Sequence, residues 1–170
     1  MADPTLIMYE EEFKQIDAEL HKLHLQANAK LTLLVDKNGQ IIDTVGDTQE
    51  IDTTSLGSLT AGNIAATGGM ARLLGEREFS ILFHEGERDN IHITLVGRVI
   101  LVIVFDQRSS LGLVRLRVKK STEALGQIFE RMQQKVEKPK GVPGAGQPPS
   151  GTPKSVLSEI TDEDIDKLFG

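Results

Sequence analysis

Apolar residues recur along the chain with two different periods, and the order of those periods lays out its elements. From Met8, the positions Tyr9, Phe13, Ile16, Leu20, Leu23 and Ala27 step by fours and threes, one stripe of an amphipathic helix. Glu10, Glu11 and Glu12 fall in its first turn, where the helix dipole favours anions, and Asn28 supplies a stop. Leu31–Val35 and Ile41–Val45 flank Asp36-Lys37-Asn38-Gly39. Asn-Gly between two apolar runs predicts an antiparallel hairpin, because both residues tolerate positive φ. Three more apolar runs follow, Phe79–His84, Ile91–Val96 and Val99–Phe105, separated by turn residues at Gly86–Asn90 and Gly97-Arg98. The last run shows no polar alternation, so it is expected to be the central strand, buried on both faces. A final stripe of Leu111, Val114, Val118, Leu125, Ile128, Phe129, Met132 and Val136, interrupted by Ser121, predicts a long helix capped by Ser109 or Ser110. Its early part also alternates as a strand would, but the downstream register favours helix.

Residues 53–76, TTSLGSLTAGNIAATGGMARLLGE, break the usual pattern. They predict a helix, capped by Asp52, Thr53 or Thr54, that contains Gly57, Gly62, Gly68 and Gly69. Each glycine costs a helix interior ~1 kcal/mol relative to alanine. Ser58, Gly62, Ala65 and Gly69 recur at four, three and four, with Arg72 one step further, and so share one side. A face poor in side chains lets another backbone approach closely, which makes it a candidate partner surface. The plain alternative is a helix frayed or broken at Gly68-Gly69.

After this core-bearing region, placed at 5–136, composition changes abruptly. Residues 137–154 hold five of the six prolines and no apolar pattern, which reads as a flexible linker with a root-mean-square reach of ~20–25 Å. Residues 155–170, SVLSEITDEDIDKLFG, read as an acidic amphipathic docking segment. Thr161 and Asp164 resemble a capping box, and Ile160, Ile165, Leu168 and Phe169 can gather on one side, away from Asp162, Glu163 and Asp166. So short a helix is marginal alone in water, and an apolar-faced peptide on a tether needs somewhere to dock.

Charge and chemistry narrow the function classes. A net charge of −6 argues against nonspecific nucleic-acid binding. No apolar run is long enough to span a bilayer, and the acidic N-terminus does not resemble an export signal. The chain has no cysteine, which removes disulfides, thiolate catalysis and thiolate zinc sites. No phosphate loop, nucleophile elbow or HExxH occurs. His21 and His24 lack a third metal ligand, and His84 with His92 reads as sheet or surface histidine, not an acid–base pair. No catalytic residue, cofactor site or metal site is therefore expected. Against the acidic background Arg108, Arg115, Arg117, Lys119 and Lys120 cluster at the start of the last helix. They are either a solvated basic face or a docking patch for an acidic surface, the chain's own acidic tail among the candidates.

The order helix, two strands, helix, three strands, helix resembles the Roadblock domain, an α/β (α+β) fold around a five-stranded, mainly antiparallel sheet. LLVDKNGQII in the hairpin, SLTAGNIAATGGMARLLGE in the small-residue helix, FHEG before IHITLVG, and ILVIVFDQRSSLGLVRLRVKK carry the likeness over roughly residues 5–136. The ending EITDEDIDKLF is similar to the tail of the bacterial subfamily that acts on a Ras-like small GTPase of the MglA type. The resemblance implies a cytoplasmic homodimer, concentrated at a cell pole, whose sheets join edge to edge and whose small-residue helices lie side by side. It implies one GTPase bound per dimer and acceleration of GTP hydrolysis, in control of polarity and gliding motility, by repositioning the GTPase's own groups. Arg72, Arg88, Arg98 and Arg108 are the conceivable arginine fingers. A scaffold that binds a GTPase without stimulating it is the alternative, and a small-molecule sensor is a third class.

Overall fold

The computed structural model describes residues 10–137. The expected linker at 137–154, beyond its first residue, and the expected docking segment at 155–170 lie outside that range. Helix α1 (Glu10–Gln26) buries Ile16, Leu20 and Leu23 along the expected stripe, with Ala27 buried just past its end. Asn28 then takes φ +50°, a left-handed conformation that asparagine tolerates, and its side-chain amide donates to the Arg108 carbonyl at 2.6 Å.

Strands β1 (Leu31–Asp36) and β2 (Ile41–Gly46) form the hairpin, but not through a two-residue Asn-Gly turn. Of the two, only Gly39 has positive φ, at +87°. The Asp36 carboxylate instead organises a longer loop, accepting from the backbone N–H groups of Asn38 at 2.8 Å and Gln40 at 3.0 Å. Register shifts between Leu34 and Val35 to accommodate it.

Helix α2 (Thr53–Leu73) starts at Asp52, whose carboxylate accepts from the Ser55 N–H at 3.1 Å. It runs unbroken through Gly68-Gly69 and stops at Leu73, short of Glu76, because Gly75 turns left-handed at φ +78°. Strand β3 (Ile81–Glu85) begins two residues later than its apolar run, and β4 (Asn90–Val96) and β5 (Val99–Phe105) follow. All neighbours are antiparallel in the order β2-β1-β5-β4-β3. The unalternating β5 is therefore the middle strand, and every residue in it is buried.

Helices cover both faces of the sheet. On one face α1 and α3 (Leu111–Glu137) pack Ile16, Leu20, Val114 and Leu125 onto Leu34, Leu101, Ile103 and Phe105. On the other, Leu56 and Ile64 of α2 meet Leu33, Val35, Ile93, Ile100 and Val102. Each such buried side chain contributes about 1.5–3 kcal/mol, which drives the three-layer arrangement. The start of α3 is helical because Val114 and Val118, four apart, both reach the core. Ser121, which interrupts the stripe, is buried and donates to Glu19 Oε1 at 2.8 Å, so it ties α3 to α1.

Two titrating groups give this fold opposed responses to acid. His92 is buried beneath α3 with its Nε2 unpaired, and burial, assisted by Arg115, lowers its pKa to about 4. Its stabilising effect is complete above the unfolded value near 6.5 and is lost as pH falls towards 4. Asp43 is pushed up to about 6 by burial and by the neighbouring Asp17 carboxyl. Its contribution is complete below the unfolded value of 3.8 and is lost as pH rises through 6. Thermal melts from pH 7 to 4 should therefore show His92→Asn losing acid sensitivity and Asp43→Asn gaining it. Parallel curves for both variants and wild type would contradict these assignments.

Candidate functional site

Helix α2 seats on the sheet through its few inward positions. Gly57, Thr60 and Ala71 are buried, and a Cβ at Gly57 would stand 2.9 Å from the Gly39 carbonyl oxygen and 3.2 Å from Val35 Cγ1. The β1–β2 loop and α2 thus meet backbone to backbone, and this contact sets the pose of the helix.

The opposite side of α2 faces outward. Ser58, Gly62, Ala65 and Arg72 are exposed, and Gly69 is half-buried. Among the described residues, and apart from the adjacent backbone of the helix itself, no atom lies within 4 Å of where a Cβ at Gly62, Gly68 or Gly69 would stand. These glycines therefore relieve no crowding against the other described elements, although each carries its helix cost. Beside the small row lie Leu59, Met70 and Leu73, which are 72%, 58% and 87% exposed. Together with Ala66 they step by seven, four and three, so they form an apolar stripe along the same outer surface. Contiguous exposed apolar surface of this kind makes it a candidate interaction site. Sequence reasoning picked out the small residues but missed these leucines and this methionine. Their helical spacing was present, but only the packed structure reveals which side of α2 turns away from the sheet.

The apolar stripe has a neighbour in the open edge of β3, whose outer backbone groups pair with no other strand in the sheet. Asn63 of α2 hydrogen-bonds His84 Nε2 of β3 at 2.9 Å, so helix and edge are tied together. Ile81 on that edge is also exposed. The helix face and the strand edge offer one surface with two kinds of complementarity, apolar contact and main-chain pairing.

The basic residues separate into two places. Arg115, Leu116, Lys119 and Lys120 are exposed along α3, with Arg117 half-buried beside them. Arg108 turns instead to Asp106, with Nε 3.0 Å from Oδ1, and that contact holds the Asp106 carboxyl below its usual range. With Lys30, Glu50, Arg88, Asp89 and Gln107 these two line an open cleft of about 500 Å³. Lys30 lies 3.4 Å from Asp89, so opposite charges line the cleft and two of its cations are already paired.

The arginines do not converge. Arg88 and Arg108 lie at one end of the strands, Arg98 sits in the β4–β5 turn at the other, and Arg72 is on α2. His84 and His92 lie on opposite faces of the sheet, the first against α2 and the second under α3. Among the described residues no group of three or more His, Cys, Asp or Glu can hold a metal ion, and no helix is long and apolar enough to cross a membrane.

Comparison with known proteins places these features in a family. Residues 16–105 match the model of the Roadblock/LC7 domain. The chain is similar to Myxococcus xanthus MglB, with 59% identity, 75% of this chain and 96% of that one covered, and a TM-score of 0.71. It is similar as well to the gliding protein MglB of Thermus thermophilus, at 32% identity over 76% of this chain and 99% of that one, also with a TM-score of 0.71. A third structure, MglB in a tetrameric arrangement, is 31% identical, covers 76% of this chain and 98% of that one, and has the same TM-score. No curated protein sequence matches the chain.

Proposed function

Because this chain belongs to the Roadblock/LC7 family and is related there to MglB, we propose that it is a GTPase-activating protein for a Ras-like small GTPase of the MglA type. It works as a homodimer, in the control of cell polarity and gliding motility, from the cytoplasm and a cell pole. The observation that carries the reading is the outer face of α2 beside the open β3 edge, a smooth apolar surface with no partner among the described residues. Edge-to-edge pairing of two β3 strands would extend the sheet, bring two α2 helices side by side and create one joint platform for a single GTPase.

The platform accelerates hydrolysis by positioning the GTPase's own groups. The arrangement of this chain's arginines supports that mechanism, since they are scattered and Arg108 is held by Asp106. An inserted arginine contributes ~10³–10⁵ in rate. Alanine at Arg72, Arg88, Arg98 or Arg108, singly, is therefore expected to leave most of the maximal single-turnover rate at saturating concentration. A thousandfold fall for any one of them, with binding intact, would replace positioning by a finger. In the same assay, a chain that binds the GTPase and leaves the rate unchanged is a scaffold, and the activating role is then wrong.

The segment 155–170 supplies a second contact to the GTPase. Its removal is expected to leave dimerisation and melting nearly unchanged while altering affinity or nucleotide exchange, as is Leu168→Ala with Phe169→Ala. Identical behaviour of truncated and full-length chains in binding, hydrolysis and exchange would remove this role.

A further inference from the structure

The first half of α3 carries a surface on the face of the sheet opposite α2, apart from the α2 face and β3 edge proposed above as the platform. Leu116 is 50% exposed on it, and Arg115, Arg117, Lys119 and Lys120 surround it. None of these four cations makes an ion pair among the described residues, although the chain as a whole carries −6. Gly112, one turn earlier, has open space where a Cβ would stand, so the apolar spot has a shallow flank. Four uncompensated cations around an exposed leucine repel one another, and a segment with the opposite charge and its own apolar side would relieve that repulsion.

The sequence supplies such a segment. Residues 159–169, EITDEDIDKLF, place Glu159, Asp162, Glu163, Asp164 and Asp166 against a single Lys167, with Ile165, Leu168 and Phe169 as apolar anchors. Its attachment fits the distance. Along α3, Leu116 lies roughly 30 Å from Glu137 at about 1.5 Å per residue. If residues 138–154 are the flexible linker that their composition predicts, their root-mean-square span would be ~20–25 Å, and 17 residues reach at most ~55–60 Å. Such a tether would hold the segment at a millimolar local concentration, enough to fill a weak site.

We propose that the acidic C-terminal segment of each chain docks on the basic face of its own α3, around Leu116, when no other partner holds it. The docked segment is unavailable to outside partners and must be released before it engages one. The docking itself requires only this chain, so it stands or falls independently of the GTPase reading.

The absence of cysteine allows a direct test in the full-length chain. A nitroxide on Ser158→Cys, with isotope labelling of the same chain, reads proximity as broadening of amide signals. The expected result is strong broadening at residues 112–123 at low ionic strength, reduced about fivefold near 0.5 M salt, where exposed charges are screened. Lys119→Glu with Lys120→Glu should reduce it to a similar degree. Leu168→Ala with Phe169→Ala, which leaves α3 untouched, should do the same and guards against misfolding of the charge-reversed chain. Broadening elsewhere with none on α3 overturns the proposal, as does a pattern unmoved by salt and by both double variants. Spin-labelled chains without isotope mixed with isotope-labelled chains without nitroxide test the source, and broadening of α3 only in that mixture overturns docking within one chain.

Discussion

Ala65→Arg and Gly69→Arg are each expected to abolish GTPase binding and stimulation while leaving the protomer folded. Ala65 is exposed and Gly69 half-buried on the outer row of α2, where no other described element approaches within 4 Å of a Cβ at Gly69. A long cationic side chain therefore meets nothing internal, and melting of the protomer should hold within a few degrees. In the complex the same side chain would be driven into a desolvated contact without a counter-charge, which costs about 3–5 kcal/mol. At 1.4 kcal/mol per tenfold, that is a loss of roughly 10²–10³ or more in affinity, enough to erase micromolar binding. The homodimer should weaken as well, because the α2 face and the β3 edge adjoin. Titration with the GTPase, equilibrium sedimentation and calorimetry separate these effects. Normal stimulation by both variants would mean that the partner surface lies elsewhere on the molecule.

The second large effect is expected on the inner side of the same helix. Gly57→Val puts a branched side chain where even a lone Cβ would stand 2.9 Å from the Gly39 carbonyl oxygen. The obstacle is backbone, and Gly39 itself is held at φ +87° by the Asp36-centred loop, so neither side yields easily. Overpacking of this kind costs about 1–3 kcal/mol, and for a domain of this size that is a fall in melting temperature of roughly 5–15 °C. Helix α2 should also lift from the hairpin, so GTPase binding should fall together with stability. The contrast with Ala65→Arg is the informative part, since one variant loses binding alone and the other loses both. A Gly57→Val chain that melts like wild type would mean that the hairpin and α2 are not in close contact.

Much of the architecture was legible along the chain because it depends on local period. The stripe of α1, the unalternating run of β5 and the return to helical spacing in α3 each state how many faces an element must bury. Glycine and asparagine positions then located the turns. The hairpin shows where local reading stops. Asn38-Gly39 marked the turn correctly but not its type, because Asp36 captured the loop N–H groups and lengthened it. Likewise α2 continued through Gly68-Gly69 although propensity permits a break there, since Ile64 and Ala71 anchor the helix on either side of the pair.

For the candidate site the division is sharper. By itself the sequence determined that α2 has a row of small residues, that the start of α3 is basic and that the C-terminal segment is acidic, because spacing and charge are properties of the chain. Only the tertiary structure decided that the small row faces outward, that Leu59, Met70 and Leu73 lie beside it, and that β3 leaves its edge open next to it. It also parted Arg108 from the other cations by pairing it with Asp106. The physical reason is that a mixed helix such as α2 has no strongly apolar side to announce which face will be buried. That choice is made by the Gly57–Gly39 contact and the sheet beneath it, between residues far apart in the chain.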